Sequence, residues 1–127
     1  QHEVDVVAAA LSGAGTARER LHFAITQWCE RAHRGRVLAR ALMAEPVDPT
    51  VEAARLHYRR LYAGVFAACL REGIEAGEFP EQDADVSAAC IVGALGEATL
   101  GPLLTDDRPP NTPAIVRFCM TALGDPR

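Results

Sequence analysis

The stretch from Leu70 to Leu104, LREGIEAGEFPEQDADVSAACIVGALGEATLGPLL, constrains this chain more than any other. It reads as the end of a long helix, a tight polar turn, and a helix that is small and apolar on nearly every side. Gly77 supplies the left-handed residue that stops a helix, and Pro80 keeps the helix from resuming. Asp83 or Asp85 caps the next helix, which carries no arginine from Val86 to Leu104. A helix that is apolar all round has to be buried on several faces. A chain of this size offers too little other surface to cover it, so a second subunit is expected. Ala89, Gly93, Ala94 and Gly96 leave room for another helix backbone to approach.

At 127 residues the chain has the length of one domain and buries roughly two-thirds of its unfolded surface on folding. That is enough for a core without disulfides or metal. The net charge is −4, and all 13 basic residues are arginines. No basic patch of the kind that grips a duplex is present, so these residues are not expected to touch DNA directly. Aromatics make up 6% of the chain, and alanine is abundant, which favours close helix packing over sheets. No run reaches the ~20 unbroken apolar residues of a membrane span. No signal peptide is seen, and a cytoplasmic location is expected.

The four cysteines, Cys29, Cys69, Cys90 and Cys119, form no C-x-x-C pair and read as small buried hydrophobes. Cys29 and His33 do share a helix face at i, i+4, which presents two ligands to a metal but no third. No metal and no cofactor is expected.

Along the chain, Val4, Val7, Ala8 and Leu11 make one helical stripe over Gln1 to Leu11, broken by Ser12-Gly13-Ala14-Gly15. Thr16 opens a second helix with a capping box, since Glu19 falls at N3. Its apolar face is Leu21, Ala24, Ile25, Trp28 and Ala32. A short helix is predicted from Arg36 to Ala44, ended by Glu45-Pro46. Asp48-Pro49 starts a long helix reaching Ala76, with Val51, Ala54, Tyr58, Leu61, Tyr62, Val65 and Cys69 inward. The apolar helix near Asp83 to Leu104 follows, then a polar loop, then a last helix from Pro113 to Leu123. The chain reads as all-α.

No catalytic motif is present: no phosphate loop after a strand, no G-x-S-x-G, no H-E-x-x-H and no paired acids in an apolar cleft. The chain is not expected to be an enzyme. What it offers instead is a set of bulky or polar residues on faces that read as inward. Phe23, Trp28 and Met43 come from the early helices, and His57, Tyr58, Tyr62 and Phe66 from the long one. Such a cluster lines an apolar cavity with a few polar anchors, or else simply packs the core. The tyrosines favour a pocket, because a buried hydroxyl needs a partner. Glu97, a lone carboxylate in the apolar helix, calls for an interface, an arginine such as Arg117, or a ligand.

The order of helices, and above all the segment Leu70 to Asp85 with its phrase REGIEAGEF, resembles the C-terminal regulatory domain of TetR-family transcriptional regulators. The resemblance implies an orthogonal bundle of about six helices over residues 1–127. It also implies a homodimer in which the last two helices of each subunit form a four-helix bundle. The interface would then take in Ala89, Val92, Gly93, Gly96, Leu100, Ile115, Phe118, Cys119 and Ala122. A small-molecule effector would bind among the preceding helices and shift the first one, which in the family leads to the DNA-binding head. That helix-turn-helix head is absent from these residues, so operator DNA is a partner only through it. The function implied is effector sensing and dimerisation in a ligand-responsive regulator, a repressor, that binds an apolar or aromatic molecule. Two other readings stand beside it: a ligand-free helical dimerisation module, and a helical metal or thiol protein using Cys29, His33 and His57.

Overall fold

The computed structural model describes residues 2–34, 49–100 and 109–125. These residues form five helices and no strand: α1 (His2–Leu11), α2 (Ala17–Arg34), α3 (Pro49–Glu75), α4 (Ala84–Leu100) and α5 (Thr112–Ala122). The helix expected over Arg36 to Ala44, and the proposed cap Asp48, lie outside the described residues.

Each helix end has a local cause. Thr16 and Glu19 form the reciprocal capping box: the Glu19 amide donates to Thr16 Oγ1 (3.0 Å) and the Thr16 amide to Glu19 Oε1 (2.8 Å). At the end of α3, Gly77 takes φ +79°, and the Glu78 amide reaches back to the Gly73 carbonyl at 2.8 Å. Asp83, rather than Asp85, caps α4, its Oδ1 accepting from the Val86 amide at 3.1 Å. Asp85 instead meets the Arg71 guanidinium across the turn at 2.6 Å. Asn111 caps α5 by accepting from the Ala114 amide at 3.1 Å.

Packing turns these helices into a bundle in which α2 touches all four others and α3 runs most extensively along α4. The core takes Val7 and Leu11 from α1, and Leu21, Ala24, Ile25 and Cys29 from α2. Phe66, Ala67, Cys69 and Leu70 come from α3, Ala88, Ile91, Val92 and Leu95 from α4, and Val116, Cys119 and Met120 from α5. Gly73 is a point of close packing against the following turn and the start of α2. A Cβ there would lie 2.6 Å from the Phe79 ring and 3.1 Å from the Ala17 side chain. Phe79 can therefore fold back over the end of α3 and stay buried.

One end of the bundle is tied by polar contacts between segments distant in sequence. The Arg18 side chain donates to Asp125 Oδ2 at 2.8 Å, and the Arg18 amide donates to Glu78 Oε1 at 2.8 Å. Gln82 donates to the Leu123 carbonyl at 2.8 Å, and Pro80 packs on Gly124. The start of α2, the α3–α4 turn and the turn after α5 thus meet in one knot.

The long helix is rotated from the inward stripe read off the sequence. Among the described side chains its buried residues are Phe66, Ala67, Cys69, Leu70 and Gly73, Leu61, Tyr62 and Val65 are half-buried, and residues 57–60 are exposed; the side chains of Val51 and Ala54 lie outside the described residues. Tyr58, expected inward, is 38% exposed.

Candidate effector site and subunit face

Of the six described residues among the seven expected to line a pocket, the structure brings Trp28 and Tyr62 together from different helices. The Trp28 ring on α2 meets the Tyr62 ring on α3 edge to face, with centroids 4.7 Å apart and planes inclined by 63°. Both rings are half-buried. The indole N–H of Trp28 donates to Thr99 Oγ1 on α4 at 3.3 Å, and Thr99 in turn donates to the Leu95 carbonyl at 2.6 Å. Three helices therefore converge on one aromatic pair with a hydroxyl behind it. Thr99 is fully buried, at 1% exposure. Its signal in the sequence was a threonine in an otherwise apolar helix, whose polarity is absorbed by the carbonyl one turn back.

The other expected lining residues are placed differently. Phe66 is 1% exposed and belongs to the buried core cluster. Phe23 points outward, 53% exposed. The reason is helical phase: with Leu21, Ala24, Ile25 and Cys29 turned inward, position 23 falls on the opposite side of α2. His57 and Tyr58 are exposed, their rings 5.9 Å apart on the outer part of α3. Met43 lies outside the described residues. A surface groove of about 630 Å³ sits where α3 turns into α4, lined by Arg71, Glu75, Glu81 and Asp85 among others, and none of the six described residues borders it.

The thiols divide into two kinds. Burial pushes the Cys69 and Cys119 thiols up to about 11, and it raises that of Cys29 as well. Cys69 also donates to the Ala17 carbonyl at 3.7 Å. Cys90, read from the sequence as buried like the rest, is exposed on α4. Among the described residues, no group of three or more His, Cys, Asp or Glu side chains is arranged to hold a metal ion. The ring nitrogen Nδ1 of His33 is buried and makes no hydrogen bond among them. No described helix is long and apolar enough to cross a membrane.

On α4 and α5 the expected interface residues separate into a core set and a surface set. Val92 is 3% exposed and Cys119 0%: both face the protomer's own core, packed with Val116 and Met120, and neither lies on an outer face. Gly96 is buried beneath the Arg59 guanidinium. Ala89 and Ala122 are exposed, Gly93 and Ile115 are half-buried, and Phe118 is 64% exposed. Leu100 closes α4, and its side chain lies outside the described residues. Val86, not singled out from the sequence, is 58% exposed on the same stripe as Ala89, Cys90 and Gly93. Glu97 is exposed as well, which removes the desolvation cost expected of a carboxylate in an apolar helix.

A family model described as the tetracyclin repressor-like C-terminal domain matches residues 14–99. No curated protein and no solved structure gives a significant match.

Proposed function

The chain belongs to the tetracyclin repressor-like C-terminal domain family, and from that premise we propose that it is the effector-sensing and dimerising domain of a ligand-responsive repressor. Domains of this family are the regulatory part of TetR-family transcription regulators, which act by binding effectors and DNA. In this reading residues 1–127 are one regulatory unit, and operator DNA is engaged through a separate N-terminal head. The protein works in the cytoplasm.

The effector is a small apolar or aromatic molecule that docks against Trp28 and Tyr62, with Tyr58 at the rim and Met43 as a further contact. The observation that carries this is the three-helix convergence on the Trp28–Tyr62 pair. A ligand inserted there changes the packing of α2 against both α3 and α4, and so biases the arrangement of α1 that packs on α2 and α3. Trp28 is the only tryptophan in the chain, so its emission reports on this site alone. A panel of small aromatic compounds titrated against the protein tests the idea. Saturable quenching or a spectral shift that disappears in Tyr62→Ala supports the site. Unchanged emission with every compound, or a shift that Tyr62→Ala leaves intact, counts against it.

Dimerisation uses the outer face of α4 and α5. Val86, Ala89, Cys90 and Gly93 form an i, i+3, i+4, i+7 stripe on α4, and Phe118 and Ala122 are exposed on α5, which packs against α4. Large apolar side chains this exposed on adjoining helices mark an interaction surface, and a second copy presents the same stripe in a two-fold arrangement.

A ligand-free dimerisation module is the second reading. It is favoured by the full burial of Phe66 and by the outward placement of Phe23, His57 and Tyr58, which leave the aromatic pair as what remains of the expected pocket lining among the described residues. The same fluorescence titration separates the two.

A further inference from the structure

Ser12-Gly13-Ala14-Gly15, which joins α1 to α2, is exposed at every residue, and Gly15 adopts φ +110°. With Thr16 these residues make a five-residue link, and a link of this composition does not by itself fix the angle between two helices. A single side chain from the next helix spans the joint. Arg20, one turn into α2, sends Nη1 to the carbonyl of Leu11, the last residue of α1, at 2.7 Å. Its Nε donates to the Gly15 carbonyl at 3.2 Å, and Nη2 meets Glu72 Oε1 on α3 at 3.2 Å. The Arg20 side chain is only 12% exposed, whereas Glu72 is 60% exposed.

We propose that Arg20 is a clasp that sets the angle of α1 against the bundle, with residues 12–15 as the hinge it holds shut. The guanidinium suits this role because its planar fork reaches three acceptors from three segments at once, which an ammonium on a flexible stem does not. One acceptor is an orphan carbonyl at the negative end of the α1 dipole, where a cation is favoured. The contact to the Leu11 carbonyl is part-buried and carries most of the hold, while the one to the Gly15 carbonyl is exposed. The exposed carboxylate of Glu72 orients the fork and adds little energy of its own. Release of the clasp loosens α1, whose other attachments among the described residues are the side chains of Val7 and Leu11 in the core and Ala10 packed against it. The regulatory consequence, that the clasp sets how α1 presents a DNA-reading head, rests on the proposed function. The clasp itself does not.

Amide hydrogen exchange on the intact chain tests the clasp without any effector or DNA. Arg20→Gln keeps most of the apolar stem but loses the fork. Exchange across Val6–Leu11 is expected to rise roughly tenfold in this variant, with exchange across Ala88–Leu95 unchanged. Arg20→Lys falls between wild type and Arg20→Gln, and Glu72→Gln stays close to wild type. Unchanged exchange in α1 overturns the proposal. So does an equal rise in α4, or loss of the folded state in either Arg20 variant, since each would make Arg20 part of the general framework rather than a local clasp. The outcome is independent of ligand binding at Trp28, so failure of the clasp and failure of the regulatory reading remain distinguishable.

Discussion

The Trp28 indole N–H and the Thr99 hydroxyl meet at 3.3 Å across α2 and α4. Because Thr99 gives its own proton to the Leu95 carbonyl, its oxygen is left as an acceptor for the indole. Thr99→Val keeps the shape and removes that acceptor. The expected cost is about 1–2 kcal/mol, the penalty for a part-buried donor left without its partner. Denaturant unfolding followed by circular dichroism reads the shift. A midpoint equal to wild type would mean that the indole loses nothing when the hydroxyl goes.

Phe66 and Phe23 make a contrasting pair. Phe66→Ala empties a fully enclosed position and should cost roughly 3–5 kcal/mol. Phe23→Ala removes a ring that is mostly in solvent and should shift stability by no more than about 0.5 kcal/mol. Equal losses in the two variants would contradict the helical phase of α2 described above.

That phase also marks how far the sequence could be read. Features set within a few residues were legible: the Thr16–Glu19 capping box, the Gly77 stop, and the long helix from Pro49, which ends at Glu75 rather than Ala76. Each depends on local hydrogen bonding that the residue types dictate. Orientation was less legible. Val92 and Cys119 face the protomer's own core, while Val86 and Cys90 face out, and all four are small or mid-sized apolar residues on helices apolar all round. In such helices periodicity carries no direction, and the neighbouring helices decide. The outward turn of residues 57–60 has the same origin, since nothing in their own spacing says which part of α3 the other helices cover. Thr99 went unseen because its role needs Trp28 from a helix about seventy positions away.

The cysteines should react in two classes. At neutral pH an aromatic disulfide reagent is expected to titrate Cys90 first, with Cys29, Cys69 and Cys119 reacting only on unfolding. A folded-state value near 11 for Cys69 and Cys119, against 9.0 unfolded, means that the folded state holds its protons more tightly. Their contribution to stability is therefore complete below pH 9 and is lost as pH rises toward 11. Stability that stays flat across that window would contradict the burial of both thiols.

Glu19 titrates in the opposite sense. The Thr16 amide, followed by the Thr16 hydroxyl, holds its carboxyl below the usual value of 4.5. The capping contribution is present above pH 4.5 and fades as pH falls through the lowered folded value. Glu19→Gln should lose that part of the acid dependence while leaving the rest of the melting profile in place. Parallel profiles for the two proteins would remove Glu19 from the capping box.

Disruption of the knot at the bundle end should be felt at a distance. Asp125→Ala removes the acceptor of the Arg18 side chain, whose own exposure is 28%, and the expected loss is about 1–3 kcal/mol. Thermal melting checks the size of the loss, and a Tm equal to wild type would show that the last turn closes without it.

The particle mass in solution tests the central claim most directly, measured by light scattering at micromolar concentration for wild type and for Phe118→Glu. The expected result is a wild-type particle of twice the 13.6 kDa chain, and a folded single chain for the variant, because Phe118 is exposed in the protomer and contributes nothing to its core. A wild-type protein that runs as a single chain, or a Phe118→Glu dimer as stable as wild type, would contradict a subunit interface on the outer face of α4 and α5.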